Sequence, residues 1–455
     1  MNTNTTINPS HGLAADFAAR VRVIAKLAMP VAVARTGMLV LVIVDTAMVG
    51  HFSSTELAYY GLGQAVFMVC MLIGVGMLIG TAVLCAQAVG AESQLECGVI
   101  WRVSAFHALA LGGLFVLLAQ GGGYLYQLFG YDEGLAQGAG GILVVLTYGL
   151  PGQLLFTASI LFLEALNRPG PGLAIMIGAN ILNAAVNWLL IGGEIGWGGE
   201  GAAWATTAVR WLIAVAAVLY ILSMKDAAIY NVAGPLHQVR ILGRKLRRLG
   251  YPLGLAQGLE SAAFASLTLF AGLLGAEAVG AFQIVMNLVA SCFMAAIGVG
   301  TATAVHVGLA IGRGDQRQMM LSGWGGLFTI AIFMAVMAAV MALFPSQLVQ
   351  IFTGDPVLLA IAVPTLFVAA ATLITDGAQG VLMGALRGAG DVWIPSALHL
   401  CSFLLVMVPA AYGFAIWADI GTPGLMMGTF CGVTLAAVLL AGRFHLISKR
   451  PVRRL

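Results

Sequence analysis

The stretch MKDAAIYNVAGPLHQVRILGRKLRR, residues 224–248, is the longest polar connection in the chain and decides how the rest is read. It holds Lys225, Arg240, Arg244, Lys245, Arg247 and Arg248, six of the 21 Lys and Arg residues. A basic run can suit nucleic acid, but this one lies between two long apolar tracts, where it reads as a topology determinant beside anionic lipid. On both sides of it the sequence is strongly apolar: 60% of the 455 residues are hydrophobic and only 9% are charged. A soluble domain carries about 25% charged residues, so a water-soluble fold of this size is excluded, as are collagen-like, disordered and disulfide-scaffold classes. A helix needs about 20 apolar residues to cross the hydrocarbon. The runs before the linker make six such spans within 23–223, and those after it make six within 249–446. The runs are continuous, not alternating, and lipid offers no partner to an unpaired backbone group, so the spans are helices and not barrel strands.

The expected fold is therefore an all-α polytopic membrane protein, with twelve transmembrane helices in two pseudo-symmetric six-helix lobes. Its parts are a cytoplasmic tail at 1–22, an N-lobe at 23–223, the linker at 224–248, a C-lobe at 249–446 and a basic tail at 447–455. The odd-numbered connections, such as 50–56, 121–136 and 345–356, contain no Lys or Arg. The N-terminus, the even connections, the C-terminus and their flanks hold 19 of the 21 basic residues. Positive charge marks the cytoplasmic side, which predicts an inner-membrane protein with both termini in the cytoplasm. The six cysteines lie in or beside apolar stretches without a C-x-x-C pair and read as small hydrophobes.

The halves repeat. Pro30, Gly50, Gly76, Thr81 and Gly90 recur as Pro252, Gly272, Gly298, Thr303 and Gly312, at a constant offset of 222. Later the offset drifts, with Ala165-Leu166 corresponding to Ala385-Leu386. Because each half has an even number of spans, both enter from the same side, which makes a parallel repeat about an axis along the membrane normal. Such a duplication suits transport by alternating access around a midplane site, and neither a receptor nor a membrane enzyme needs it.

An ionisable group near the bilayer centre costs about 2.5–3.5 kcal/mol on insertion scales, so each one needs a partner, a cavity or a task. Glu260 and Asp376 stand out, because no Lys or Arg lies within a helical turn of either. Polar residues share their faces: Gln257 with Glu260, Thr372 and Gln379 with Asp376, and a third stripe of Gln283, Asn287 and Ser291. Two desolvated carboxylates can bind Na⁺ through oxygen or hold a proton. The competing reading is a pair of structural carboxylates bonded to neighbouring helices. A second cluster lies in the first half: Asp45 near the outer end of span 1, the row Asn180, Asn183 and Asn187, and Thr206 and Thr207. The asparagine row suits either inter-helix hydrogen bonding or a cation or substrate relay. Arg35 and Arg210 read as structural, pairing with acids or lining a cavity. There is no G-x-x-x-x-G-K-[ST] phosphate loop and no room for a nucleotide-binding domain, so ATP is not expected as the energy source. No cofactor is expected beyond a coupling ion.

Several phrases resemble the multidrug and toxic compound extrusion (MATE) family. They are Val44-Asp45-Thr46-Ala47-Met48-Val49-Gly50 at the end of span 1, Leu182-Asn183 with Asn187-Trp188 in span 5, and Ala385-Leu386-Arg387-Gly388-Ala389-Gly390-Asp391 with Pro395 after span 10. The resemblance covers about residues 20–446, and the Glu260 and Asp376 pair is similar to the NorM-type branch. It implies a V-shaped pair of lobes exporting small organic cations in exchange for Na⁺ or H⁺; a monomer is expected. It places Glu260 and Asp376 in the second-lobe cation site and Asp45 at the first-lobe acidic position, with Na⁺ able to bind at Glu260 and Asp376. Asn183 and Asn187 match the span-5 polar pair. Some relatives carry an aspartate where this chain has Asn187, which predicts a weaker first-lobe cation site here. Asp355 matches an acidic drug-contacting position. A lipid-linked saccharide flippase of the same superfamily is the alternative, disfavoured because the candidate cavity residues are mainly acidic.

Overall fold

The computed structural model describes residues 13–128, 133–191, 196–235, 237–353 and 355–450. Most of the expected N-terminal tail, the last five residues and the side chain of Arg35 lie outside the described residues.

The first half comprises α1 (Leu13–Phe52), α2 (Ser54–Leu78), α3 (Gly80–Gly90), α4 (Leu95–Ala119), α5 (Gly122–Leu128), α6 (Glu133–Tyr148), α7 (Leu150–Ala165), α8 (Gly170–Ile191) and α9 (Gly198–Ser223). The second half comprises α10 (Val239–Leu274), α11 (Ala276–Arg313), α12 (Gln316–Leu343), α13 (Pro345–Gln350), α14 (Pro356–Gly388), α15 (Trp393–Cys401), α16 (Val408–Tyr412) and α17 (Thr422–Ser448). Among the described residues, eleven apolar helical segments are long enough to cross a membrane, including the joined pairs Tyr59–Gly90 and Glu133–Ala165. With α1, which carries the first apolar span, these make the expected twelve.

Local chemistry accounts for the breaks. Pro151 stands in the first turn of α7, where its missing N–H costs nothing, and it separates α7 from α6. Gly314 ends α11 in the left-handed region at φ 71°, and Asp315 then caps α12 by accepting from the Gln318 N–H at 2.9 Å. Around Pro409 the eleventh span widens into two π-helical stretches, Ser402–Met407 and Gly413–Trp417, which flank α16. In both halves a short helix, α5 or α13, fills the connection after the third span, so the repeat extends to an element too short for hydropathy to reveal.

One expectation changes. Residues 239–248 of the basic linker do not form a loop; they are the first turns of α10, which has 36 residues and a length of about 54 Å at 1.5 Å per residue. That exceeds a hydrocarbon core of about 30 Å, so the arginine-rich end projects beyond it as helix. Apolar residues Leu242, Leu246 and Leu249 on this segment are buried, while Arg240 and Arg244 are exposed; the amphipathic pattern explains why a charged segment stays helical.

The chain forms two compact units, and their boundaries fall inside helices instead of in the linker. One unit is Val33–Ala262; the other joins the residues up to Ala32 with those from Ala263 onward. Relative to lobes at 23–223 and 249–446, the start of α1 belongs with the second half and the start of α10 with the first. The repeat pair Pro30 and Pro252 lies near these crossings, inside α1 and α10 respectively. Within the first unit Phe67, Leu78, Ile142, Leu146, Leu150 and Leu154 form the core. In the second, Val307, Ile311, Leu382, Leu386, Leu440 and Phe444 do so. Small residues bring helices to backbone contact there: a Cβ built on Gly384 of α14 would overlap the Gly300 carbonyl of α11.

Each unit also braces the connection that follows its fourth span, with opposite polarity. Arg168 grips Asp226, just past α9, through Nη1 at 2.9 Å and Nη2 at 2.5 Å. In the other unit the acid is on the connection: Asp391 accepts from Arg443 Nε of α17 at 2.7 Å. The two Arg168 hydrogen bonds hold the Asp226 carboxyl below the usual carboxylate range and raise Arg168 in turn. Arg102 adds a second anchor, donating to the carbonyls of Gly234 at 2.6 Å and Asn231 at 3.1 Å, so the non-helical part of the linker is tied down.

Candidate functional site

Asp45 lies near the C-terminal end of α1 and is fully buried, at 0% exposure. A buried carboxylate is unfavourable unless hydrogen-bonded and compensated, and three helices supply what it needs. Oδ1 accepts from Asn187 Nδ2 of α8 at 2.5 Å. Oδ2 accepts from the Tyr60 hydroxyl of α2 at 2.9 Å and from Thr206 Oγ1 of α9 at 2.6 Å. Asn187 Nδ2 also donates to Asn183 Oδ1 at 3.1 Å, and Asn183 Nδ2 donates to Thr206 Oγ1 at 3.1 Å. The result is a closed ring, Asp45–Asn187–Asn183–Thr206, with Tyr60 attached from outside.

The ring depends on helical spacing. Asn183 and Asn187 are one turn apart and share a face of α8. Arg210 follows Thr206 by one turn on α9, and Phe67 follows Tyr60 by two turns on α2. Those second positions meet: the Arg210 guanidinium carbon stands 4.1 Å above the Phe67 ring centroid. Arg210 is 4% exposed and donates from Nη1 to the Leu146 carbonyl at 3.3 Å. A carboxylate, a ring of neutral donors and a guanidinium on an aromatic floor thus lie in sequence along the helix axes.

The other candidates are distributed as follows. Asn180 faces its own helix, with Nδ2 donating to the Met176 carbonyl at 2.9 Å, and stays out of the ring. Asp376 is buried on α14 and accepts from Gln379 Nε2 at 3.3 Å, as their three-residue spacing predicts. Glu260 and Gln257 are half-buried on α10. Gln283 and Asn287 are exposed on α11, with the Ser291 hydroxyl donating to the Asn287 carbonyl at 2.8 Å. Glu260 belongs to the unit ending at Ala262 and Asp376 to the other, so each is described within its own unit. Asp355 is exposed and caps α14, accepting from the Val357 N–H at 2.8 Å, a task any helix start assigns to an aspartate.

Tyr60 was not legible as a site residue, since a tyrosine near a span end reads as an interfacial anchor. Gln64, one turn further along α2, is another such residue: it is 8% exposed, and among the described residues neither its amide oxygen nor its nitrogen has a hydrogen-bond partner. The buried Asn187 Oδ1 likewise has none among them.

The MatE family model matches the chain twice, at residues 30–189 and 252–412. The chain belongs to the MatE family. The two matches start 252 − 30 = 222 residues apart, the offset at which the repeated glycines and prolines align. A protein of Caulobacter vibrioides named "Probable multidrug resistance protein NorM" is 36% identical over 431 residues, covering 93% of this chain and 91% of its own. Among solved structures, an outward-facing multidrug resistance MATE family transporter of the MOP superfamily aligns with a TM-score of 0.88 at 20% identity, over 95% of this chain and 97% of that one. A MOP superfamily transporter from Pyrococcus furiosus, described as having a binding pocket of reverse polarity and a different function, aligns at 0.86 and 20% identity, over 95% and 97%. The fold is therefore shared by proteins that differ in pocket charge, and cargo has to be argued from this chain's own side chains. As a MatE family member this chain is a multi-pass membrane transporter, and its relatives are transporters, not enzymes.

Proposed function

We propose that this MatE transporter exports small organic cations across the inner membrane in exchange for Na⁺ or H⁺, with both termini in the cytoplasm and no ATP consumed. The observation that carries the reading is Asp376, an acid buried within the apolar length of α14, whose carboxylate accepts from Gln379 Nε2. A carboxylate so placed gains from any cation that reaches it, whether cargo or coupling ion, and the two then compete. The names of the curated relatives, multidrug resistance proteins, support efflux as the direction.

In this mechanism Glu260 and Asp376 hold the incoming cation and release cargo to the outside. Their discharge to the inside restores the negative charge that draws the next cargo molecule. Moving one charge across the membrane is worth about 2.3 kcal/mol per 100 mV. One incoming monovalent cation therefore offsets the electrical cost of one outgoing cationic drug, and two carboxylates admit a second ion that makes export electrogenic. Gln257 and Gln379 supply neutral hydrogen-bonding groups on the same helices as the two acids, Gln283 and Asn287 supply them on α11, and Asp355 adds a charge at the mouth.

The test is ethidium export from proteoliposomes under an imposed Na⁺ gradient and, separately, a pH gradient. Glu260→Gln and Asp376→Asn should each abolish gradient-driven export while the protein still elutes as a folded monomer. Undiminished gradient-driven export in both variants would remove the assignment.

A further inference from the structure

We infer that Arg210 is a resident counter-cation for Asp45, which takes the place of a coupling ion in the first unit and leaves ion exchange to Glu260 and Asp376. The last clause rests on the function proposed above; the pairing of Arg210 with Asp45 does not.

Three observations lead to this. The Asp45 oxygens are already occupied by the donors of Tyr60, Asn187 and Thr206. These donors take three of the roughly four lone-pair sites of the carboxylate, so a Na⁺ ion, which takes several oxygen ligands, has to compete with them for it. Second, Arg210 is buried and no carboxylate hydrogen-bonds to it among the described residues; its neighbours are the Leu146 carbonyl and the Phe67 face. Those are ligands for a cation, but neither carries a full negative charge. A guanidinium keeps its proton under all ordinary conditions, so its charge has to be balanced nearby, and Asp45, which accepts from Thr206 one turn before Arg210 on α9, is the acid placed to do so. Third, among the described residues the charged or titratable groups facing Asp45 are Arg210 from α9 and Tyr60 from α2, while α8 contributes amides. The site is neutral with Asp45 ionised and Arg210 charged. Adding either Na⁺ or a proton leaves one uncompensated positive charge in a buried site. A water, being neutral, can satisfy the unpartnered Asn187 Oδ1 without that cost.

This also gives Asn187 a physical meaning. With one arginine to balance, a second acid at that position would leave net negative charge and a reason to recruit an ion. With an amide there, the charges already match.

The experiment isolates the first site by working on the Glu260→Gln/Asp376→Asn protein, purified in detergent, and measures binding of ²²Na⁺ and proton release on adding Na⁺ in weakly buffered solution. Four further proteins carry Arg210→Met, Arg210→Lys, Asp45→Asn, or Arg210→Met with Asp45→Asn on that background. The expected result is no saturable Na⁺ binding with Arg210 or the lysine present, saturable binding in the methionine variant, and its loss when Asp45 is also changed. Saturable Na⁺ binding, or proton release, that requires Asp45 while Arg210 is in place overturns the inference, and this result needs no variant of Arg210 to fold. A folded methionine variant that binds no Na⁺ and releases no proton also counts against it. None of these readings involves export, so a failure of the transport mechanism registers separately, in the gradient-driven assay.

Discussion

Exchanging Asp45 for asparagine tests whether charge or hydrogen bonding holds the first site together. Oδ2 faces two hydroxyls, Tyr60 at 2.9 Å and Thr206 at 2.6 Å. Hydroxyls rotate and accept as readily as they donate, so an amide nitrogen can replace Oδ2 while the remaining oxygen still accepts from Asn187. The hydrogen-bond count is nearly conserved, and what disappears is the charge opposite Arg210. Leaving one partner of a buried ion pair uncompensated costs about 3–5 kcal/mol, and Asp45→Asn is expected to fall in that range. Arg210→Met strands the carboxylate instead and loses the contact with Phe67, so it is expected to cost a similar amount. The double variant leaves no stranded charge, and its loss should fall short of the sum of the singles by at least about 2 kcal/mol, within the range seen for coupled neighbours. Reversible unfolding in mixed SDS and detergent micelles, followed through the eight tryptophans, provides the four free energies. Additivity within about 0.5 kcal/mol, the behaviour of independent sites, would refute the claim that the two charges balance each other.

Further outcomes follow from the same geometry. Tyr60→Phe removes one of the donors to Asp45 and should cost about 1.5–3 kcal/mol, the worth of a hydrogen bond to a charged group, in the same unfolding assay. Gly384→Ala places a methyl against the Gly300 carbonyl and should cost about 1–3 kcal/mol by overpacking, whereas Gly170→Ala, at a position open to a Cβ, should change stability by less than about 0.5 kcal/mol. Asp226→Asn breaks a partly exposed bridge with Arg168 and should cost about 1 kcal/mol or less at pH 7. Because Arg168 depresses the Asp226 carboxyl, that contribution is fully present above the unfolded carboxyl value of about 3.9 and is lost as pH falls through the lower folded value. The wild-type and variant melting curves should therefore converge in strong acid.

How far the site could be read in advance differs residue by residue. Asp376 and Gln379 were recognisable as a pair because their three-residue spacing is local to one helix, and the hydrogen bond follows from it. Asn183 and Asn187 share a face for the same reason. Arg210 was visible as a costly residue in a span, but its partner was not. Thr206 and Asp45 are 161 residues apart in the chain, and nothing in either span specifies that α9 meets α1 there. Tyr60 and Gln64 carried no signal, since each is ordinary in an apolar helix until its surroundings are known. Asp355 carries a local task as well: it caps α14, accepting from the Val357 N–H two residues on.

Membrane class, the number of spans and the parallel repeat were all determined by the sequence alone. Insertion into lipid is decided by the transfer free energy summed over about 20 consecutive residues, a local quantity that needs no knowledge of neighbours. Tertiary structure decided which helices exchange between units, so that α1 divides after Ala32 and α10 after Ala262. It also decided that Asp45 meets both a ring of neutral donors and a guanidinium. Those outcomes depend on side chains from four helices converging in a low-dielectric interior, where a charge is held only by the partners that packing brings to it.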